Sequence, residues 1–163
     1  MFSRRAVFAA DSRRARHAAI MQDLDVPSPF DLTEFAARLA RQRDRPIKLR
    51  PVSFAPGAPC GLWIGTADAD YVFYEQGTTP FHRSFIALHE LAHMLLGHRG
   101  LSAWQGLAHR VAPDISPALV RLMLGRSGYS SPEEREAETL ASLILDRATA
   151  WRAVRGSFLV HVG

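Results

Sequence analysis

The stretch FIALHELAHMLLGH, Phe85 to His98, sets His89, Glu90 and His93 inside an otherwise apolar run. Residues four apart on a helix differ by about 40° around its axis, so these two imidazoles project side by side from successive turns and can converge on one divalent cation. Glu90 lies at the edge of the same face, where its carboxylate can reach a water on the ion without displacing it. The HExxH spacing therefore assigns His89 and His93 as metal ligands, Glu90 as general base and Zn2+ as the cofactor. The competing reading is a pair of hydrogen-bonded core histidines. Against it, Phe85, Ile86, Leu88, Leu91, Leu95 and Leu96 sink this helix into a core. Three ionisable groups buried there need compensation, and a cation supplies it.

A catalytic zinc typically takes three protein ligands and leaves a fourth position open. The longer pattern HExxHxxGxxH would require Gly at position 96 and His at 99, where this chain has Leu96 and Arg99, so that class of peptidase is excluded. His98 lies just past the helix and is expected to point differently from the two ligands. The better source is the acidic stretch PEEREAETLAS, where Glu134, Ala137, Glu138 and Ala141 share one helical face. Small alanines let two helices approach closely. Glu134 is assigned as the third ligand, and Glu138 as the carboxylate that orients a ligating histidine by accepting its second ring N–H. Glu134 has a rival role, because Ser131-Pro132-Glu133-Glu134 fits a capping box. Glu136 and Glu138 are the alternative third ligands. His98, His109, Tyr129 and His161 are candidate donors to an oxyanion, and the sequence does not single out a substrate-binding residue.

These side chains need elements to hold them. Residues 3–24 and 31–45 carry apolar residues at helical intervals, which predicts two N-terminal helices, the second stopped by Pro46. PIKLRPVSF, GLWIG and DYVFYE predict three strands, and the turn chemistry of APGAPC and TADAD predicts an antiparallel meander. The HExxH helix is expected over about 81–96, with Gly97 ending it. Beyond a Gly- and Trp-containing loop come a short helix at SPALVRLMLG and a long one from Ser131, with Pro132 at its first turn. The tail GSFLVHVG suits either a strand or surface packing. The expectation is an α+β fold: a small antiparallel three-stranded sheet packed on a zincin-like helical core, with a helical segment 1–45 joined in one compact unit to a domain 46–163.

Composition narrows the setting. Cys60 is the sole cysteine, which rules out an internal disulfide and a cysteine zinc cluster and suits a reducing cytoplasm. No apolar run approaches the roughly 20 residues of a membrane span, and the apolar patch near the start is too short for a signal peptide. The net charge of +4 is uneven: residues 1–50 hold ten Arg and one Lys against six acids, residues 51–163 nine Arg against ten acids. No base-reading motif accompanies that basic third, so direct nucleic-acid binding is not expected.

HELAHMLLGH, followed some forty residues later by EEREAETLASLIL, resembles the ImmA/IrrE-type zinc metallopeptidases, which pair HExxH with a downstream helix of E-x-x-A-[N/D]-x-x-A character. The resemblance covers about residues 46–148. It implies a cytoplasmic zinc metallopeptidase that antagonises a helix-turn-helix repressor in mobile-element or stress regulation, with His89, His93 and Glu134 on zinc and Glu90 as base. The chain departs from the pattern at Glu138, where Asn or Asp is usual, and at Asp146, where a Met-Pro pair often follows the apolar run. The alternative is a zinc-bound module that binds a repressor without turnover, using its arginine-bearing N-terminal helices.

Overall fold

A computed structural model describes residues 4–98, apart from 55, 57 and 58, and residues 130–158. Among the described residues, four helices and one three-stranded sheet make an α+β fold: α1 (Arg4–Asp23), α2 (Leu32–Gln42), β1 (Ile47–Val52), β2 (Gly61–Gly65), β3 (Asp70–Glu75), α3 (Pro80–Leu95) and α4 (Ser131–Phe158). The short helix expected at SPALVRLMLG and the loop before it lie outside the described residues. Among the described residues, no helix is long and apolar enough to cross a membrane.

Helix α2 starts where Asp31 accepts a hydrogen bond from the Glu34 N–H and buries Phe35, Ala36 and Leu39. Thr79 does the same for α3, accepting from the His82 N–H, and Pro80 occupies the first turn, where it forfeits no intrahelical bond. At the other end Gly97 takes the left-handed conformation, φ +61°, as a helix-terminating glycine does.

The sheet is mixed, which corrects the antiparallel meander. Its order is β1-β3-β2, with β2 antiparallel to β3 but β1 parallel to β3. The cause is the connection between β1 and β2. Eight residues, 53–60, exceed the two to five that join hairpin neighbours, and their reach lets the chain step past one strand and leave that place for β3. The close β2–β3 hairpin, closed by Thr66 and Ala69, then fills the gap.

One core runs through the whole arrangement. Met21 of α1 and Leu24 just after it, Phe35 and Leu39 of α2, Val72 of β3, Ala87, Leu88, Leu91 and Ala92 of α3, and Ala137, Leu140, Ala141 and Ile144 of α4 form a single buried cluster. Among the described residues, the end of α1 and the buried face of α2 thus share a core with α3 and α4. The alanines Ala137 and Ala141 are fully buried against α3, and their size is what brings these two helices together. Helix α4 also continues through Gly156, Ser157 and Phe158, the beginning of the stretch read as a tail; residues 159–163 lie outside the described residues.

A second, smaller cluster of Leu62, Ile64, Ala69, Tyr71 and Phe73 covers the other face of the sheet. Beside it Asp70 is buried and accepts hydrogen bonds from Arg43, Arg45 and the Trp63 indole at 3.2, 3.0 and 3.1 Å, tying the end of α2 to β2 and β3.

Candidate metal centre

Helix α3 carries His89, Glu90 and His93, and the first turns of α4 carry Glu134 and Glu136. His89 Nε2 and His93 Nε2 stand 3.0 Å apart. Glu134 Oε2 is 3.2 Å from His89 Nε2, and its other oxygen is 3.7 Å from His93 Nε2. These three residues each offer one ligand atom, all within 4.8 Å of one another. Tetrahedral ligation at about 2.0–2.1 Å would separate donors by roughly 3.3 Å, which the 3.0 and 3.2 Å separations from His89 Nε2 approach. The donor set, two imidazoles and one carboxylate, is one that zinc takes. His93 is fully buried, and that burial, reinforced by His89 and His98, lowers its pKa to about 3, keeping the ring neutral as a ligand must be.

Glu134 is available because the helix is capped by other residues. The Ser130 N–H and hydroxyl donate to the Glu133 carboxylate at 2.9 and 2.7 Å, so the capping box lies one position earlier than Ser131 and Glu134. Glu134 then sits about 60° from the middle of the buried Ala137–Ala141–Ile144 stripe, at the edge of the α3–α4 interface.

Glu90 is 5 % exposed, and its Oε2 has no hydrogen-bond partner. Burial first, and the neighbouring Glu134 charge second, push its pKa up to about 8, against a lowering backbone hydrogen bond from Trp63. Gly61 makes that burial feasible: a Cβ there would stand 2.6 Å from Glu90 Oε1 and 2.8 Å from Ile86 Cγ2. Together these residues line a cleft of about 340 Å3, walled by Pro59, Gly61, Phe85, His89, Glu90 and Glu134 among others.

The role assigned to Glu138 is not observed. That residue is exposed and makes no hydrogen bond among the described residues, because it lies roughly 100° from the buried stripe of α4. The second nitrogen of His93 instead meets His98, at 2.9 Å between the two Nδ1 atoms, and His98 Nε2 lies 3.2 Å from Glu136 Oε2. His98 therefore folds back onto His93. Its two ring nitrogens face His93 and Glu136; His109, Tyr129 and His161 lie outside the described residues. The signal for this contact was present in the sequence as a glycine followed at once by His98, five residues after His93. No protein-family model, curated protein or solved structure matches this chain.

Proposed function

We propose that the chain is a zinc-dependent metallopeptidase that acts in the cytoplasm on a regulatory protein such as a helix-turn-helix repressor. The observation that carries the reading is Glu90: a buried carboxylate with an unpartnered oxygen, one residue from a ligand and lining the cleft next to three converging donors. A metal site serving stability alone gains nothing from such a group. His89, His93 and Glu134 would hold Zn2+, which when bound supplies Lewis acidity toward a peptide carbonyl and acidifies water. Glu90 Oε2 accepts the proton of the attacking water and passes it to the leaving amine. Nearby positive charge favours the ionised form of Glu90 that this first step needs. Strand β2 borders the cleft at the edge of the sheet, so an extended peptide can join it as a further strand and present its carbonyl to the site. The motif resemblance to ImmA/IrrE-type peptidases supports the choice of a repressor as substrate.

The test is incubation of the zinc-loaded chain with helix-turn-helix repressors drawn from its genomic neighbourhood, followed by mass spectrometry. Cleavage at one defined bond by the parent and none by Glu90→Gln, with zinc content equal in both, is the expected result. A repressor antagonised equally by parent and Glu90→Gln, with no bond broken, would replace the peptidase with a zinc-bound docking module.

A further inference from the structure

Helix α3 ends in a Schellman motif, with the His98 N–H donating to the His93 carbonyl at 3.0 Å and the Gly97 N–H to the Met94 carbonyl at 3.1 Å. In that motif the residue after the glycine is folded back over the residue five before it, and an apolar contact usually fills the space. Here the pair is two imidazoles, both buried, with Nδ1 facing Nδ1. Two facing ring nitrogens form a hydrogen bond only if one carries the proton and the other does not.

Glu136 decides which. Its carboxylate is an acceptor held 4.0 Å from Arg13 and 3.8 Å from Arg16 of α1, so the His98 nitrogen that faces it, Nε2, must be the protonated one. In the neutral ring His98 Nδ1 is then a bare acceptor. The proton between the rings consequently belongs to His93 Nδ1, and His93 Nε2, the atom that faces His89 and Glu134, is left with its lone pair. Arg16 also donates to the Leu96 carbonyl at the end of α3, fixing the same turn from outside.

We infer that His98 and Glu136 are positioning residues: a relay running from the α1 arginines through Glu136 and His98 sets the tautomer of His93 and aims its Nε2 lone pair at the donor triangle. The tautomer stands on the hydrogen-bond geometry alone. Its effect on metal affinity rests on the metal-site reading above. The relay also makes α1 part of the site, since the arginines that hold Glu136 come from that helix.

Two measurements on the full chain test this. Long-range 1H–15N correlation spectra of the metal-free protein should show His93 protonated at Nδ1 and bare at Nε2. Zinc affinity, measured by competition with a chromogenic chelator, should fall about ten- to a hundredfold in His98→Phe, which keeps a ring but removes the acceptor. Glu136→Ala should fall similarly, and the double variant should be no weaker than His98→Phe alone, because both substitutions cut one chain. Glu136→Gln retains an amide oxygen to accept from His98 and should keep both the tautomer and the affinity to within a few-fold. A His93 ring protonated at Nε2, His98→Phe binding zinc as tightly as the parent, or losses that multiply in the double variant would each overturn the relay. A parent that binds no zinc yet shows the Nδ1–H tautomer would overturn the metallopeptidase reading and leave the relay standing.

Discussion

The molecule buries carboxylates in two places and treats them in opposite ways. Asp70 sits among Arg43, Arg45 and the Trp63 indole, so its charge is answered by cations and its oxygens by donors. Glu90 is buried beside the half-exposed Glu134, with the imidazoles of His89 and His93 close by, the latter held neutral, and it keeps an oxygen with no partner among the described residues. The first arrangement is complete within the protein and joins elements of the fold. The second leaves a buried carboxylate oxygen without a protein partner, which is what the proposed cation site would answer.

The comparison breaks first at Glu90. Glu90→Gln should lower repressor cleavage by about a hundred- to ten-thousandfold while leaving zinc content unchanged, as read by timed cleavage and metal analysis. Removing one carboxylate from each cluster sharpens the contrast. Glu134→Ala should weaken zinc binding by more than about a hundredfold, beyond what losing an orienting partner costs, yet not destabilise the metal-free chain, since it relieves repulsion on Glu90. Asp70→Ala should do the reverse, lowering stability by about 3 kcal/mol in denaturant unfolding with zinc binding intact in the folded fraction, because it strands two arginines and an indole N–H.

Smaller effects lie at the edges of the site. Gly61→Ala should cost about 1–3 kcal/mol and reduce cleavage more than metal binding, because the new methyl must push Glu90 aside while the three ligands stay in place. The metal-free protein should also show a pH signature in unfolding experiments. Glu90 holds its proton in the fold up to about pH 8, whereas an unfolded glutamate releases it near 4.5, so its contribution is full below 4.5 and is lost as pH rises to 8. For His93 the sign is opposite. The folded ring stays neutral down to about pH 3 while the unfolded ring charges near 6.5, so stability is lost as pH falls between those values. The two slopes oppose between 4.5 and 6.5, placing maximum metal-free stability in that window, and Glu90→Gln should flatten the alkaline arm.

The parts of this site that depend on helical periodicity were legible in the sequence. Four-residue spacing on an apolar helix is enough to place His89 beside His93, and Ala137 and Ala141 are small enough to mark where Glu134 approaches them. What escaped depends on helix ends and on strand order. The cap of α4 shifted by one residue because Ser130 and Ser131 both precede an acid by three positions, and spacing cannot say which serine leaves the helix. Glu138 shares a helical face with Glu134 but is turned further from the core, while Glu136, named only as an alternative third ligand, lies on the flank that His98 and the α1 arginines reach. The parallel β1–β3 pairing follows from the reach of an eight-residue connection, which turn chemistry alone does not reveal.

The central claim is that His89, His93 and Glu134 form one cation site, and zinc titration of the purified chain tests it most directly, run beside Glu134→Ala and Glu138→Ala. One Zn2+ bound per chain in the parent and in Glu138→Ala, with binding lost in Glu134→Ala, is the predicted result. A parent that takes up no zinc, or a Glu134→Ala variant that binds it as tightly as the parent, would contradict the account.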